Sequence, residues 1–176
     1  MSDISKFLQD DFNRIRRSFN DYVRMRPPIP ATPRWDDLDA ALSVCDTLWI
    51  HLTIEVEQIH PVVWDELAPN EAEELSRIDD KISSLMESID RMEPKDPGLR
   101  QKMTALRQEV NDHIAAYEKY VYPRLRTRPD QLEMGGAAFR RWQELFEERP
   151  PRGWAPMKGL ANTGWGGGGK VPNAGW

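Results

Sequence analysis

Four long stretches of this chain carry apolar residues at spacings of three and four, and each stretch is followed by a segment containing proline. Over residues 3–24 the stripe is Ile4, Leu8, Phe12, Ile15, Phe19 and Tyr22, which lines one face of a helix. It stops before "RPPIPATP", whose prolines lack the backbone donor that a helix needs. The second stretch begins near Pro33 and runs to about Leu67, with Ala41, Cys45, Leu48, Leu52, Ile59 and Val62 on one side. Asn70 followed by Glu73 predicts a capping pair opening the third helix, whose stripe is Leu75, Ile78, Ile82, Leu85 and Ile89. "EPKDPG" separates it from a fourth, over about 97–126, with Pro97 in the first turn and Met103, Leu106, Val110, Ile114 and Val121 inward. No window alternates with period two, so strands are not expected. The prediction is an all-α, antiparallel four-helix bundle over residues 1–128. Residues 129–149 are expected to form a linker and a short amphipathic helix at 137–149. Residues 150–176 are rich in Gly, Pro and Trp and are expected to form a flexible tail without packed structure.

Composition narrows the function classes. With 39% hydrophobic and 30% charged residues and a net charge of −5, nothing points to nucleic acid. No apolar run approaches the roughly 18–20 residues that span a bilayer, so no membrane partner is expected. The opening "MSDISKFLQDDF" lacks a basic segment followed by an apolar one, so no secretory leader is expected and the cytoplasm is the expected compartment. The one cysteine, Cys45, rules out an internal disulfide and any multi-cysteine zinc site; it is expected as a buried thiol. There is no Ser/His/Asp arrangement, and "WGGGGK" neither follows a strand nor opens a helix. No catalytic residue is assigned.

The informative residues interrupt the apolar faces. With Leu48 as the centre of its stripe, Glu55 falls about 20° away and His51 about 60°, both facing inward. A carboxylate in the middle of a core stripe is costly unless it is neutralised, hydrogen-bonded or metal-bound. The fourth helix repeats the arrangement, because "HIAAYEKYVYP" (113–123) aligns without gaps with "HLTIEVEQIHP" (51–61). His113 takes the flank that His51 takes, Tyr117 falls where Glu55 falls, and Glu118 lies to the other side. His60 and Tyr122 precede the two prolines and are read as structural. Two facing helices can thus bring two imidazoles, two carboxylates and a phenol together inside a bundle, as metal-holding bundles do. A metal-free network, with a protonated Glu55 bonded to Tyr117 or His113, is the other reading of the same residues.

At these residues the chain resembles the hemerythrin-like, HHE cation-binding family. The likeness rests on H-x-x-x-E before an aromatic-Pro pair (His51, Glu55, His60-Pro61) and on H-x-x-x-x-[DE] before another (His113, Glu118, Tyr122-Pro123). It covers roughly residues 3–126. It implies a four-helix bundle holding non-haem iron, one or two ions, that binds, senses or handles a small ligand such as oxygen or nitric oxide. The implied ligands are His51, Glu55, His113 and Glu118, with Asp79 and Tyr117 as supplements. The chain departs from the family where an Asp-His pair would stand in the first helix, since Asp11 is followed by Phe12. It departs again in the third helix, where Glu74 is followed by Leu75 and Asp79 takes the later position.

Beyond the bundle, Gly153-Trp154, Gly164-Trp165 and Gly175-Trp176 recur every 11 residues. Tryptophans spaced by glycine in a solvated segment ordinarily have a use. Trp154, Trp165 and Trp176 are expected to dock into pockets of a protein partner. The alternatives are that the segment is a partner enzyme's substrate, or that its rings fold back onto the bundle. A metal-free interaction module presenting this repeat is the rival to the cation-binding function.

Overall fold

The structure is a computed structural model and describes residues 3–24 and 35–147. It is all-helical, with no strand among the described residues. Five long helices follow one another: α1 (Ile4–Arg24), α2 (Trp35–Ile54), α3 (Pro69–Asp90), α4 (Leu99–Ala116) and α5 (Gln131–Glu147). α1 packs on α2 and α5, α3 on α4, and α2 also touches α3 and α5. The six stripe residues expected in α1 are all buried. Of the α3 stripe, Leu85 is only half-buried and Met86 beside it is buried instead.

α2 and α4 each run on through a wider turn. Glu55–Ile59 and Tyr117–Val121 form π turns, closed by i→i−5 hydrogen bonds from the His60 N–H to the Glu55 carbonyl and from the Tyr122 N–H to the Tyr117 carbonyl. Short helical turns, His60–Val63 and Tyr122–Leu125, complete the two helices. The repeated prolines are the cause. Pro61 and Pro123 have no N–H to give to the carbonyl four residues back, and their rings would strike it. One extra residue in the turn removes the conflict. It also rotates the residues beyond the turn by about 100°, so Val63 is buried where the unbroken period pointed to Val62, which is half-buried.

Three boundaries differ from expectation. The α3 cap is not at Asn70 and Glu73: Pro69 is the first helical residue, and the Glu71 carboxylate accepts the Ala68 backbone N–H at 2.9 Å. Pro97 lies before α4 rather than in its first turn, and Asp96 Oδ1 accepts the Gly98 N–H at 2.7 Å. Lys95, in the same connection, takes a left-handed backbone with φ 72°. α5 begins six residues before the expected 137 and is no short appendage. Its Met134, Gly135, Gly136, Ala138 and Leu145 are buried, and α5 packs on α1 and α2. Residues 150–176, including Trp154, Trp165 and Trp176, lie outside the described residues.

Candidate metal centre

Most of the buried polar residues meet at one place, and all of α1 to α4 contribute. α1 brings Asp11, α2 brings His51 and, in its π turn, Glu55; α3 brings Asp79, and α4 brings His113 with Tyr117 just beyond it. His51, Glu55, His113 and Asp11 are buried to within 2% of complete, and Tyr117 is wholly buried. The π turn helps to place this set, because Glu55 and Tyr117 are the first residues of the two widened turns.

Glu55 Oε1 is the hub. It accepts a hydrogen bond from His113 Nε2 at 3.1 Å and lies 2.8 Å from His51 Nε2. The second contact is short but off the ring's N–H direction, since that nitrogen makes no aligned hydrogen bond. Behind each imidazole stands another carboxylate: His51 Nδ1 is 2.7 Å from Asp11 Oδ2, and His113 Nδ1 is 2.8 Å from Asp79 Oδ1. Asp11 is held in turn by Arg14, at 3.0 Å from Nε and 2.8 Å from Nη2. The result is a ladder of alternating charge, Arg14–Asp11–His51–Glu55–His113–Asp79. Glu55 Oε2, equally buried, makes no aligned hydrogen bond, although the Tyr117 phenol interacts with this carboxylate.

The ladder moves the proton affinities. Burial alone would lower the pKa of His51, but the Glu55 carboxylate and the Asp11 hydrogen bond outweigh it and raise it from 6.5 to about 9. Burial is likewise outweighed at His113, where Glu55 and Asp79 raise the pKa to about 10. For Glu55 burial acts upward, and the two imidazoliums, His113 first, overturn it and hold the carboxyl far below its usual range. That direction favours an ionised Glu55 over the protonated donor of the metal-free reading. Burial, with Glu55 and Asp79, pushes the Tyr117 phenol well up.

His51, Glu55 and His113 each offer one ligand atom, and these atoms lie within 4.8 Å of one another. Ligands about 2.0–2.2 Å from one ion stand roughly 3–4 Å apart, so a small inward shift would bring the trio to the spacing a metal needs. Two further features fit a metal. Carboxylates behind ligating imidazoles fix the tautomer and aim the other nitrogen, which is the work Asp11 and Asp79 are placed to do. Glu55 Oε2, without an aligned hydrogen bond, is a buried anionic atom that a cation would satisfy. Phe12 packs beside the cluster, its ring centroid 4.8 Å from His51, 6.0 Å from His113 and 6.0 Å from Tyr117.

The other expected residues divide. Asp79 and Tyr117 are at the cluster, while Glu118 is exposed and outside it. Glu74 accepts the Tyr120 hydroxyl at 2.7 Å, away from the histidines. His60 is buried against Trp64, with Nε2 3.0 Å from the Tyr117 hydroxyl. Cys45 is a buried thiol that burial pushes up to about 12, too high to act as a nucleophile near neutral pH. Asp11 is missing from the ligand set expected from sequence, although its spacing from Leu8 and Ile15 places it on the inner stripe of α1.

Compared with known proteins, the chain matches no family model, no curated protein and no solved structure. Among the described residues no helix is long and apolar enough to cross a membrane.

Proposed function

We propose that this chain is a hemerythrin-like antiparallel four-helix bundle that binds one divalent non-haem metal ion, iron foremost, through His51 Nε2, Glu55 and His113 Nε2. The observation that carries the reading is the buried trio of ligand atoms within 4.8 Å, with a carboxylate behind each imidazole and one Glu55 oxygen without an aligned hydrogen bond. Two imidazoles and one carboxylate suit ferrous iron and leave coordination positions open. Bound there, the metal supplies a site for a small ligand such as oxygen or nitric oxide.

Charge balance supports the same assignment. Without metal, the protonated imidazoles make the six-residue ladder neutral: Arg14, His51 and His113 against Asp11, Glu55 and Asp79. A divalent ion replacing the two Nε2 protons leaves that sum unchanged, so binding strands no net charge in the core. The same neutrality favours a second reading, in which the ladder is complete without metal and the chain is an interaction module.

Metal analysis of the full chain, expressed with iron and purified without chelator, decides between them. Close to one equivalent in the wild type and loss in His113→Ala is expected. Ferrous protein exposed to nitric oxide should give the paramagnetic resonance spectrum of a high-spin iron nitrosyl. Trace metal in both proteins would leave the metal-free module as the function.

A further inference from the structure

Three aromatic residues stand on one side of α5 at spacings of three and four: Phe139, Trp142 and Phe146. Neighbouring ring centroids are 6.4 and 5.2 Å apart, with planes only 15° and 19° from parallel. Phe139 is 48% and Phe146 43% exposed, while the other aromatics among the described residues are mostly covered. The ladder is anchored from below. The Arg14 guanidinium lies 4.7 Å from the centre of the Trp142 ring, and Leu145, between Trp142 and Phe146 in sequence, is buried. The stack and the Arg14 contact hold the rings in place, which lowers the entropic cost of docking.

The chain itself supplies a matching ligand. It continues from the last turn of α5 into residues 148–176, which hold the three Gly-Trp pairs. Four basic side chains against one acidic give that segment +3, so with −5 overall the preceding residues carry −8. Glu147, at the end of α5, is exposed, and Glu144 is exposed while paired with Arg141 at 3.2 Å. Six residues separate Glu147 from Trp154, and the seven steps between them reach up to roughly 23–25 Å. The stripe from Phe146 back to Phe139 spans only about 10 Å, so the first indole reaches every ring. Each later repeat adds 11 residues of slack.

We propose that the Phe139–Trp142–Phe146 stripe is the docking surface for the Gly-Trp repeats of the chain's own 153–176 segment. Glycine before each indole lets the backbone come close to the helix, and ring stacks on ring. Tethering sets the effective concentration in the millimolar range, so a contact of about 0.1 mM affinity keeps the segment docked about nine-tenths of the time.

Trypsin cleavage of the full chain after Lys158 and Lys170 reads this directly, because cutting of a closed segment follows its open population. The wild type should be cut about tenfold more slowly than a free peptide of the same sequence, and Phe139→Ser with Phe146→Ser should remove the protection. Trp154→Ser with Trp165→Ser and Trp176→Ser leaves the helices untouched and should expose Lys158 and Lys170 equally, which covers the case where the ring variant folds poorly. Cleavage of the wild type at the free-peptide rate, or protection that survives the tail substitutions, overturns the proposal. Protection that grows with protein concentration, together with a dimer mass, assigns the surface to a second copy and overturns the intrachain assignment.

Discussion

Replacing Glu55 by glutamine separates the charge of the hub from its shape. In the metal-free wild type, one Glu55 oxygen faces both imidazolium Nε2 atoms, at 2.8 and 3.1 Å. Removing the charge from a rigid buried pair would cost about 3–5 kcal/mol. The histidines have an escape, because burial is the largest influence on each and acts to lower their pKa values. They should therefore lose their Nε2 protons near neutral pH. Each keeps its Nδ1–H donated to Asp11 or Asp79, and the two glutamine N–H groups can donate to the freed Nε2 atoms. The residual penalty is that of imperfect buried hydrogen bonds, about 1–3 kcal/mol, or a Tm lowered by roughly 3–10 °C. Metal binding has no such escape, since the only carboxylate in the ligand trio becomes a neutral amide. Cobalt(II) affinity should fall by at least about 100-fold, worth about 2.7 kcal/mol. The assay is a cobalt titration of chelator-stripped Glu55→Gln beside the wild type, with melts of the same samples. A folded variant that binds cobalt as tightly as the wild type would refute the reasoning.

The same geometry has consequences for pH and for two other carboxylates. Folded-state pKa values of about 9 for His51 and about 10 for His113 lie above their ordinary 6.5. Their stabilising contribution is therefore complete below pH 6.5 and lost as pH rises through 9 to 10; urea midpoints of metal-free protein that hold steady across that range would contradict the ladder. Asp11→Asn removes the anion behind His51 and should weaken metal binding by about 10–100-fold with the helices intact, as measured by chelator competition and circular dichroism. Glu118→Gln, at an exposed position, should leave metal affinity unchanged, and a loss comparable to that of His113→Ala would return Glu118 to the ligand set.

Much of the fold and most of the site are legible in the sequence because the information is local. An apolar stripe at spacing 3–4 names its own inward face, so His51, Glu55 and His113 stand out as polar residues turned into a core. Asp11 is legible by the same test, yet its neighbour Phe12 draws attention as the core residue. The misplacements come from interactions that spacing does not carry. Pro61 and Pro123 widen the turns before them, and that extra residue moves burial from Val62 to Val63. Helical position already turns Tyr117 inward and Glu118 aside, as observed; Glu118 entered the expected ligand set through the family resemblance, not through spacing. The expected start of α5 falls late because Gly135-Gly136 costs about 1 kcal/mol per glycine in an isolated helix. Packing against α1 and α2 outweighs that cost.

The central claim is that two protons and one divalent ion exchange at the same buried trio. Isothermal titration of metal-free protein with ferrous iron or cobalt at pH 7, in buffers of different ionisation enthalpy, measures both halves at once. The account predicts one ion per chain and about two protons released for each ion bound, as expected for imidazoles protonated up to about pH 9 and 10. No saturable uptake, or saturation without proton release, would contradict it.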